Sequence, residues 1–190
     1  ENAYDVCDTS AKYGITENGA SQSAEFFARD LVVTEDENLG LEKTTERVAE
    51  AAGVFLTSKK EAVYKKNIFE KLYPASTTKI LTAYVALKNG NLDDVVTVSA
   101  NAANQASDSS VCELKEGDKI TLRDLLYGLM LRSGNDAAVA IAEHISGSSE
   151  EFVVLMNAEA KALGATGSHF VTPNGLHDEE HYSTVYDMYL

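Results

Sequence analysis

Tyr73-Pro74-Ala75-Ser76-Thr77-Thr78-Lys79 opens a helix in this chain and sets a serine and a lysine three residues apart as it does so. Residues at that spacing share a helix face, so the Ser76 hydroxyl and the Lys79 amine come within hydrogen-bonding reach. Neither group is reactive unaided. A serine hydroxyl barely ionises at neutral pH and an ordinary lysine is protonated, so the pair works only where burial or nearby cations lower the lysine pKa. Pro74 fixes the entering chain, and Ile80, Leu81, Ala83, Tyr84, Val85 and Leu87 continue an apolar helical pattern. Ser76 is thereby expected in the first turn, beside backbone N–H groups that suit a developing oxyanion.

A lone Ser-x-x-Lys arises by chance about once in a chain of this length, and then reads as an N-cap serine followed by a surface lysine. A second element gives it context. Leu131-Arg132-Ser133-Gly134-Asn135-Asp136 lies between two apolar helical patterns and supplies a hydroxyl and a carboxamide in Ser-x-Asn spacing. Ser99-Ala100-Asn101 has the same spacing, so only the surroundings separate the two copies. Acyl transfer needs a proton taken from the nucleophile and returned to the leaving amine, which lysine and serine can shuttle without histidine. A carboxamide both donates and accepts hydrogen bonds.

Longer blocks surround these motifs: Pro74-Ala75-Ser76-Thr77-Thr78-Lys79-Ile80-Leu81-Thr82, Leu114-Lys115-Glu116-Gly117-Asp118, Asp124-Leu125-Leu126-Tyr127-Gly128-Leu129-Met130-Leu131, Ser133-Gly134-Asn135-Asp136-Ala137-Ala138 and Pro173-Asn174-Gly175-Leu176. In this order they resemble the serine D-alanyl-D-alanine carboxypeptidases, the low-molecular-mass penicillin-binding proteins, from about residue 51 onward. The resemblance implies Ser76 as acyl-accepting nucleophile, Lys79 as its general base, Ser133 as proton relay and Asn135 as ligand for the substrate's amide carbonyl. It implies neither a metal nor an organic cofactor. The expected partners are peptidoglycan stem peptides ending in D-Ala-D-Ala, with β-lactam antibiotics as covalent inhibitors. The expected place of action is extracytoplasmic, with a signal removed before Glu1 and any membrane or wall anchor outside this stretch.

The implied fold is α/β: a sandwich of antiparallel sheet and helices, as in serine β-lactamases and DD-peptidases, with a helical subdomain and the active site between the two. The family's third element, Lys-Thr-Gly or Lys-Ser-Gly, does not occur after Asn135. The sequence is therefore expected to be truncated, with the C-terminal strands absent from it. A catalytically inactive module that binds peptidoglycan peptides is the alternative. A β-lactamase is the nearest enzyme rival, but the Glu-x-x-Leu-Asn pattern of class A enzymes is missing between Asn135 and Leu190.

With 44% hydrophobic residues in 190, the chain can bury one core. Its first 50 residues carry 12 Asp and Glu against 4 Lys and Arg, a net −8, and the other 140 carry 18 against 12, a net −6. Residues 1–43 accordingly read as an acidic, flexible segment, and 44–190 as the N-terminal portion of the peptidase domain. A pI near 4.6 argues against nucleic acid. No run approaches the ~20 apolar residues needed to span a bilayer. Cys7 and Cys112 read as independent free thiols, without the spacing of a disulfide framework or a zinc site.

Residues 51–57 and 62–66 read as a hairpin, 95–98 as a short strand and 114–121 as a turn around Glu116-Gly117. Thr121-x-x-Asp124 starts a helix, further helices follow over 136–145 and 149–163, and 183–190 reads as another. Asn89-Gly90 closes the serine helix. His177-Asp178-Glu179-Glu180-His181 matches an inverted zinc-protease motif, but Pro173, Asn174 and Gly175 before it point to loop rather than helix. Tyr73 and Tyr186 read as packing residues, Asp136 as a helix starter and His144 as helix surface. Asp187 carries no catalytic argument.

Overall fold

The computed structural model describes residues 30–41, 48–106 and 109–190. Two small antiparallel sheets flank a body of helices. The first is a hairpin of β1 (Ala52–Leu56) and β2 (Glu61–Lys66), closed by a turn in which Lys60 adopts a left-handed φ of 56°. Its bounds lie within a residue of the expected strands. The second pairs β3 (Val95–Thr97) with β4 (Lys119–Thr121), opposing Val96 to Ile120. β4 falls where the sequence suggested only a turn. The turn is present, with Gly117 at φ 86°, but the chain leaving it continues into the ladder.

The serine helix begins differently from the expectation. Ala75–Thr78 is a 3₁₀ turn, and the α-helix proper, α1, runs Lys79–Asn89. Gly90 ends α1 in an extended conformation, φ −110°, so no left-handed cap explains the residue. Space explains it: a Cβ there would stand 2.5 Å from Leu122 Cδ2 and 2.6 Å from Ile145 Cδ1.

Ser99 caps the short α2 (Ala100–Ala103), accepting from the Ala102 amide at 2.9 Å. Thr121 caps α3 (Leu122–Leu131) by accepting from the Asp124 amide, as the Thr121-x-x-Asp124 spacing requires. α4 (Asn135–Ser146) is buried along most of its length and packs against α1, α2, α3, α5 and β3. Its alanines 137, 138, 140 and 142 let those neighbours approach closely. α5 (Ser149–Ala162) starts from the Ser148 cap, accepting from the Glu151 amide at 3.1 Å.

Two apolar clusters share α4. Val96, Leu122, Leu125, Leu129 and Ile141 fill one side, and Val85, Phe152, Met156 and Phe170 fill the other. Complete burial of Phe152 contributes about 2–3 kcal/mol. The last helix, α6 (Val185–Tyr189), is shorter than the expected 183–190: Ser183 instead bridges to Leu72, and Thr184 caps α6 by accepting from the Asp187 amide.

Of the acidic segment expected to be flexible, residues 30–41 are described; most are exposed, with Val32 and Gly40 buried. Val32 is fully buried; its amide donates to the Tyr189 hydroxyl, and its carbonyl accepts from Tyr186. Leu39 exchanges backbone hydrogen bonds with Lys65 along the outer edge of β2. Burial of the Val32 side chain and the Leu39 ladder bonds tie these residues to α6 and β2. The rest of 1–43, including Cys7, lies outside the described residues. Among the described residues, no helix is long and apolar enough to cross a membrane.

Candidate active site

The 3₁₀ turn puts the Ser76 side chain on the surface and the Lys79 side chain directly beneath it. Ser76 is exposed, whereas Lys79 keeps 2% of its surface. Lys79 Nζ lies 3.2 Å from Ser76 Oγ, 2.8 Å from Asn135 Oδ1 and 2.8 Å from the backbone carbonyl oxygen of Asn174. Burial away from water lowers the Lys79 pKa from 10.5 to about 8. A neutral lysine has two N–H bonds and one lone pair. The two oxygen acceptors take the N–H bonds, so the lone pair is left for the Ser76 hydroxyl.

Asn135 reaches Lys79 because α4 starts at it and the preceding backbone turns sharply. Ser133 holds a left-handed φ of 58°, and Gly134 follows as N-cap. The Asp136 carboxylate, almost wholly buried, accepts from the amides of Cys112, Leu114 and Ala137 at 2.8–3.0 Å. Asp136 thus starts its helix as expected and also holds the 110–114 segment against it. The Asn135 amide in turn donates to the Ser110 carbonyl at 2.8 Å. Cys112 fits under Gly128 and Gly134, where a Cβ would lie 2.7 and 2.5 Å from its sulfur; burial pushes the thiol pKa up.

Opposite α4, the 171–175 loop is tied to the serine helix. Thr82 Oγ1 donates to the Pro173 carbonyl at 2.6 Å, and the Thr78 hydroxyl meets His181 Nε2 at 2.8 Å in a buried contact. A cleft lined by Tyr73, Ser76, Ser110, Asn135, Leu176 and His177 opens over Ser76, with an empty volume of about 710 Å³. The Tyr73 ring meets the His177 ring edge-on at 4.5 Å on its rim.

Of the four residues expected in the site, Ser76, Lys79 and Asn135 form one hydrogen-bonded group. Ser133 stands two residues before Asn135, half-buried, and is bonded to neither Ser76 nor Lys79. The rival triplet does other work: Ser99 is a helix cap and Asn101 donates to Glu143. The residues matching a zinc motif lie in a loop, as expected; His181 faces Thr78 inward while His177 packs on Tyr73. His144 pairs with Asp94 at 3.1 Å, and Asp187 accepts from Ser168 at 2.6 Å with its pKa raised by burial. Sequence reasoning missed the Asn174 carbonyl, Thr78, His181 and Ser110, although Asn174-Gly175 was visible as a turn signal.

The sequence pattern of D-alanyl-D-alanine carboxypeptidases, peptidase family S11, matches residues 40–190. This chain belongs to that family. DacF of Bacillus subtilis, a D-alanyl-D-alanine carboxypeptidase, is 42% identical over 153 residues, covering 77% of this chain and 39% of DacF. DacC of Escherichia coli is 47% identical over 133 residues, covering 65% of this chain and 33% of DacC. Among solved structures, the Francisella tularensis carboxypeptidase DacD superposes with TM-score 0.71 at 36% identity, covering 90% of this chain and 40% of DacD. A variant of the Streptomyces K15 DD-transpeptidase gives 0.72 at 34% identity, over 76% of this chain and 60% of that one. The chain thus spans between a third and two fifths of the curated relatives' length. The α/β peptidase fold is that of these neighbours, represented here by its helical body and two short sheets.

Proposed function

We propose that the protein is a serine-type D-Ala-D-Ala carboxypeptidase that removes the terminal D-alanine of peptidoglycan stem peptides through an acyl-enzyme at Ser76. The observation that carries this reading is the buried Lys79 amine, 3.2 Å from an exposed serine hydroxyl, with its pKa lowered to about 8. Neutral Lys79 takes the Ser76 proton as Oγ attacks the carbonyl carbon of the penultimate D-alanine. The peptide C–N bond then breaks, and the departing D-alanine amine receives a proton from Lys79 or through Ser133. Water hydrolyses the ester and frees Ser76. With its Oδ1 engaged by Lys79, Asn135 has its NH₂ group left to donate to a substrate amide carbonyl.

Peptidoglycan lies outside the bacterial cytoplasmic membrane, so this reading places the site of action in an extracytoplasmic compartment. The family resemblance assigns the substrate carboxylate to a Lys-Thr-Gly element that these 190 residues lack. β-Lactams, which mimic the acylated dipeptide, are the expected covalent inhibitors.

The test is the intact mass of the full-length protein after incubation with benzylpenicillin, with the adduct mapped by fragmentation. One adduct on Ser76, absent in Ser76→Ala, and release of D-alanine from a D-Ala-D-Ala peptide are the expected results. Tight peptide binding without either would make the protein a binding module instead.

A further inference from the structure

His181 is 2% exposed in the wall of the cleft, yet takes no part in the steps above. Its ring nitrogens are distinguishable by their partners. The backbone amides of Val171 and Thr172 both point at Nδ1, at 3.1 and 3.3 Å, so Nδ1 carries the lone pair. Nε2 therefore carries the proton and donates to Thr78 Oγ1 at 2.8 Å.

Each side of this imidazole leads to the catalytic pair. Thr78 is fully buried, directly precedes Lys79 and closes the 3₁₀ turn bearing Ser76. Thr172 begins the bend whose next carbonyls accept from Thr82 and Lys79, and its own hydroxyl accepts from the Gly175 amide at 3.1 Å. One ring thus joins the segment that presents the nucleophile to the segment that orients its base.

We propose that His181 is a positioning residue for acylation of Ser76: its Nε2–H tautomer locks the nucleophile's turn to the 171–175 loop, and a proton on Nδ1 releases that lock. The role presupposes the acyl transfer proposed above. Protonation would set an Nδ1–H against two amide N–H donors, leaving three N–H groups without an acceptor between them. The charged groups around the ring are few. Asp178, whose carbonyl accepts from the His181 amide, favours the imidazolium; His169 opposes it; the Phe170 ring lies edge-on at 5.5 Å. Burial outweighs Asp178 and holds the imidazole below its ordinary value of 6.5.

The test is the second-order rate of Ser76 acylation by benzylpenicillin, measured on the full-length protein from about pH 5 to pH 9. Wild type should lose rate tenfold per unit below the Lys79 value of about 8, then steepen to a hundredfold per unit once His181 binds its proton. His181→Gln keeps an amide donor for Thr78 but does not titrate, so its acid limb should stay at tenfold per unit. Thr78→Val, which removes the acceptor and leaves the imidazole intact, should acylate about tenfold or more slowly at pH 8 and also lack the steep limb. ¹⁵N shifts of the wild-type ring should report the Nε2–H tautomer at neutral pH, and circular dichroism shows whether each variant is folded at each pH. Identical acid limbs in wild type and a folded variant, or an Nδ1–H tautomer, would overturn the lock. Absence of any Ser76 adduct in wild type across the range would instead refute acyl transfer itself.

Discussion

Gly175 lies so close to Ala75 that a Cβ added to it would stand 1.9 Å from the Ala75 carbonyl oxygen. Both residues have left-handed backbones, φ 82° at Gly175 and 47° at Ala75. The contact joins the residue after Asn174, whose carbonyl orients Lys79, to the residue before Ser76. Backbone against backbone leaves no rotamer to relieve a clash.

Gly175→Ala should therefore damage the reaction more than the fold. The left-handed φ alone costs about 1–2 kcal/mol for a residue with a Cβ. The larger consequence is displacement of the loop from Ser76, and a shift near 1 Å lowers rates by about 10²-fold. Benzylpenicillin acylation beside thermal unfolding checks this. A folded variant acylating at the wild-type rate would show that the contact does not set the geometry.

The pKa of Lys79 gives two pH dependences with definite signs. Because the free base is needed, the acylation rate should rise with pH and level off near 8, where wild-type lysine is half neutral. Stability moves the same way. Between about 8 and 10.5 the unfolded chain holds a proton that the folded chain has lost, so folding gains as pH rises through that window. The burial penalty, of order 3 kcal/mol, applies in full below pH 8. Urea unfolding of wild type and Lys79→Met at both ends of the window isolates it, since other titrating groups cancel. A constant difference between the two would refute the lowered pKa.

Asp136 holds three backbone amides with one buried carboxylate, and Asp136→Ala should leave them unsatisfied. Each orphaned donor costs about 1–3 kcal/mol, so a loss of several kcal/mol is expected. The 110–114 segment would also leave the N-terminus of α4, taking with it the Ser110 carbonyl that fixes the Asn135 amide. Chemical denaturation should report the stability loss, and Asp136→Asn, which keeps one acceptor oxygen, should recover part of it. A loss below about 1 kcal/mol would mean that water replaces the carboxylate.

What the sequence revealed was local. Helix caps at Ser148 and Thr121, the hairpin, and the pairing of Ser76 with Lys79 all follow from spacings of a few residues. What it concealed depends on contacts between distant segments. Gly90 ends α1 as its position after the helical run suggests, but only the fold shows that it also lets Leu122 and Ile145 approach. Val32 and Leu39 meet α6 and β2, more than twenty residues away, and composition carries no sign of those contacts. His181 sat in a motif with zinc spacing, and only the fold shows its nitrogens turned to Thr78 and two amides. A backbone carbonyl such as that of Asn174 has no sequence signature at all.

The two Ser-x-Asn triplets offer the sharpest separation of cap from catalyst. Ser99 accepts one amide hydrogen bond at the start of a four-residue helix, and Asn101 points to Glu143 on the outer surface of α4. Ser99→Ala should cost about 1 kcal/mol of stability and leave acylation of Ser76 within a factor of two. Asn135→Ala removes one of the two oxygens that hold the Lys79 N–H bonds, freeing the amine to rotate its lone pair away from Ser76. Its acylation rate should fall by about 10²-fold or more, with a smaller change in unfolding midpoint than Asp136→Ala produces. Rate constants for both variants against benzylpenicillin decide the matter. Equal losses in the two would mean that Ser99-Ala100-Asn101 contributes to the site, contrary to its position under the α2 cap.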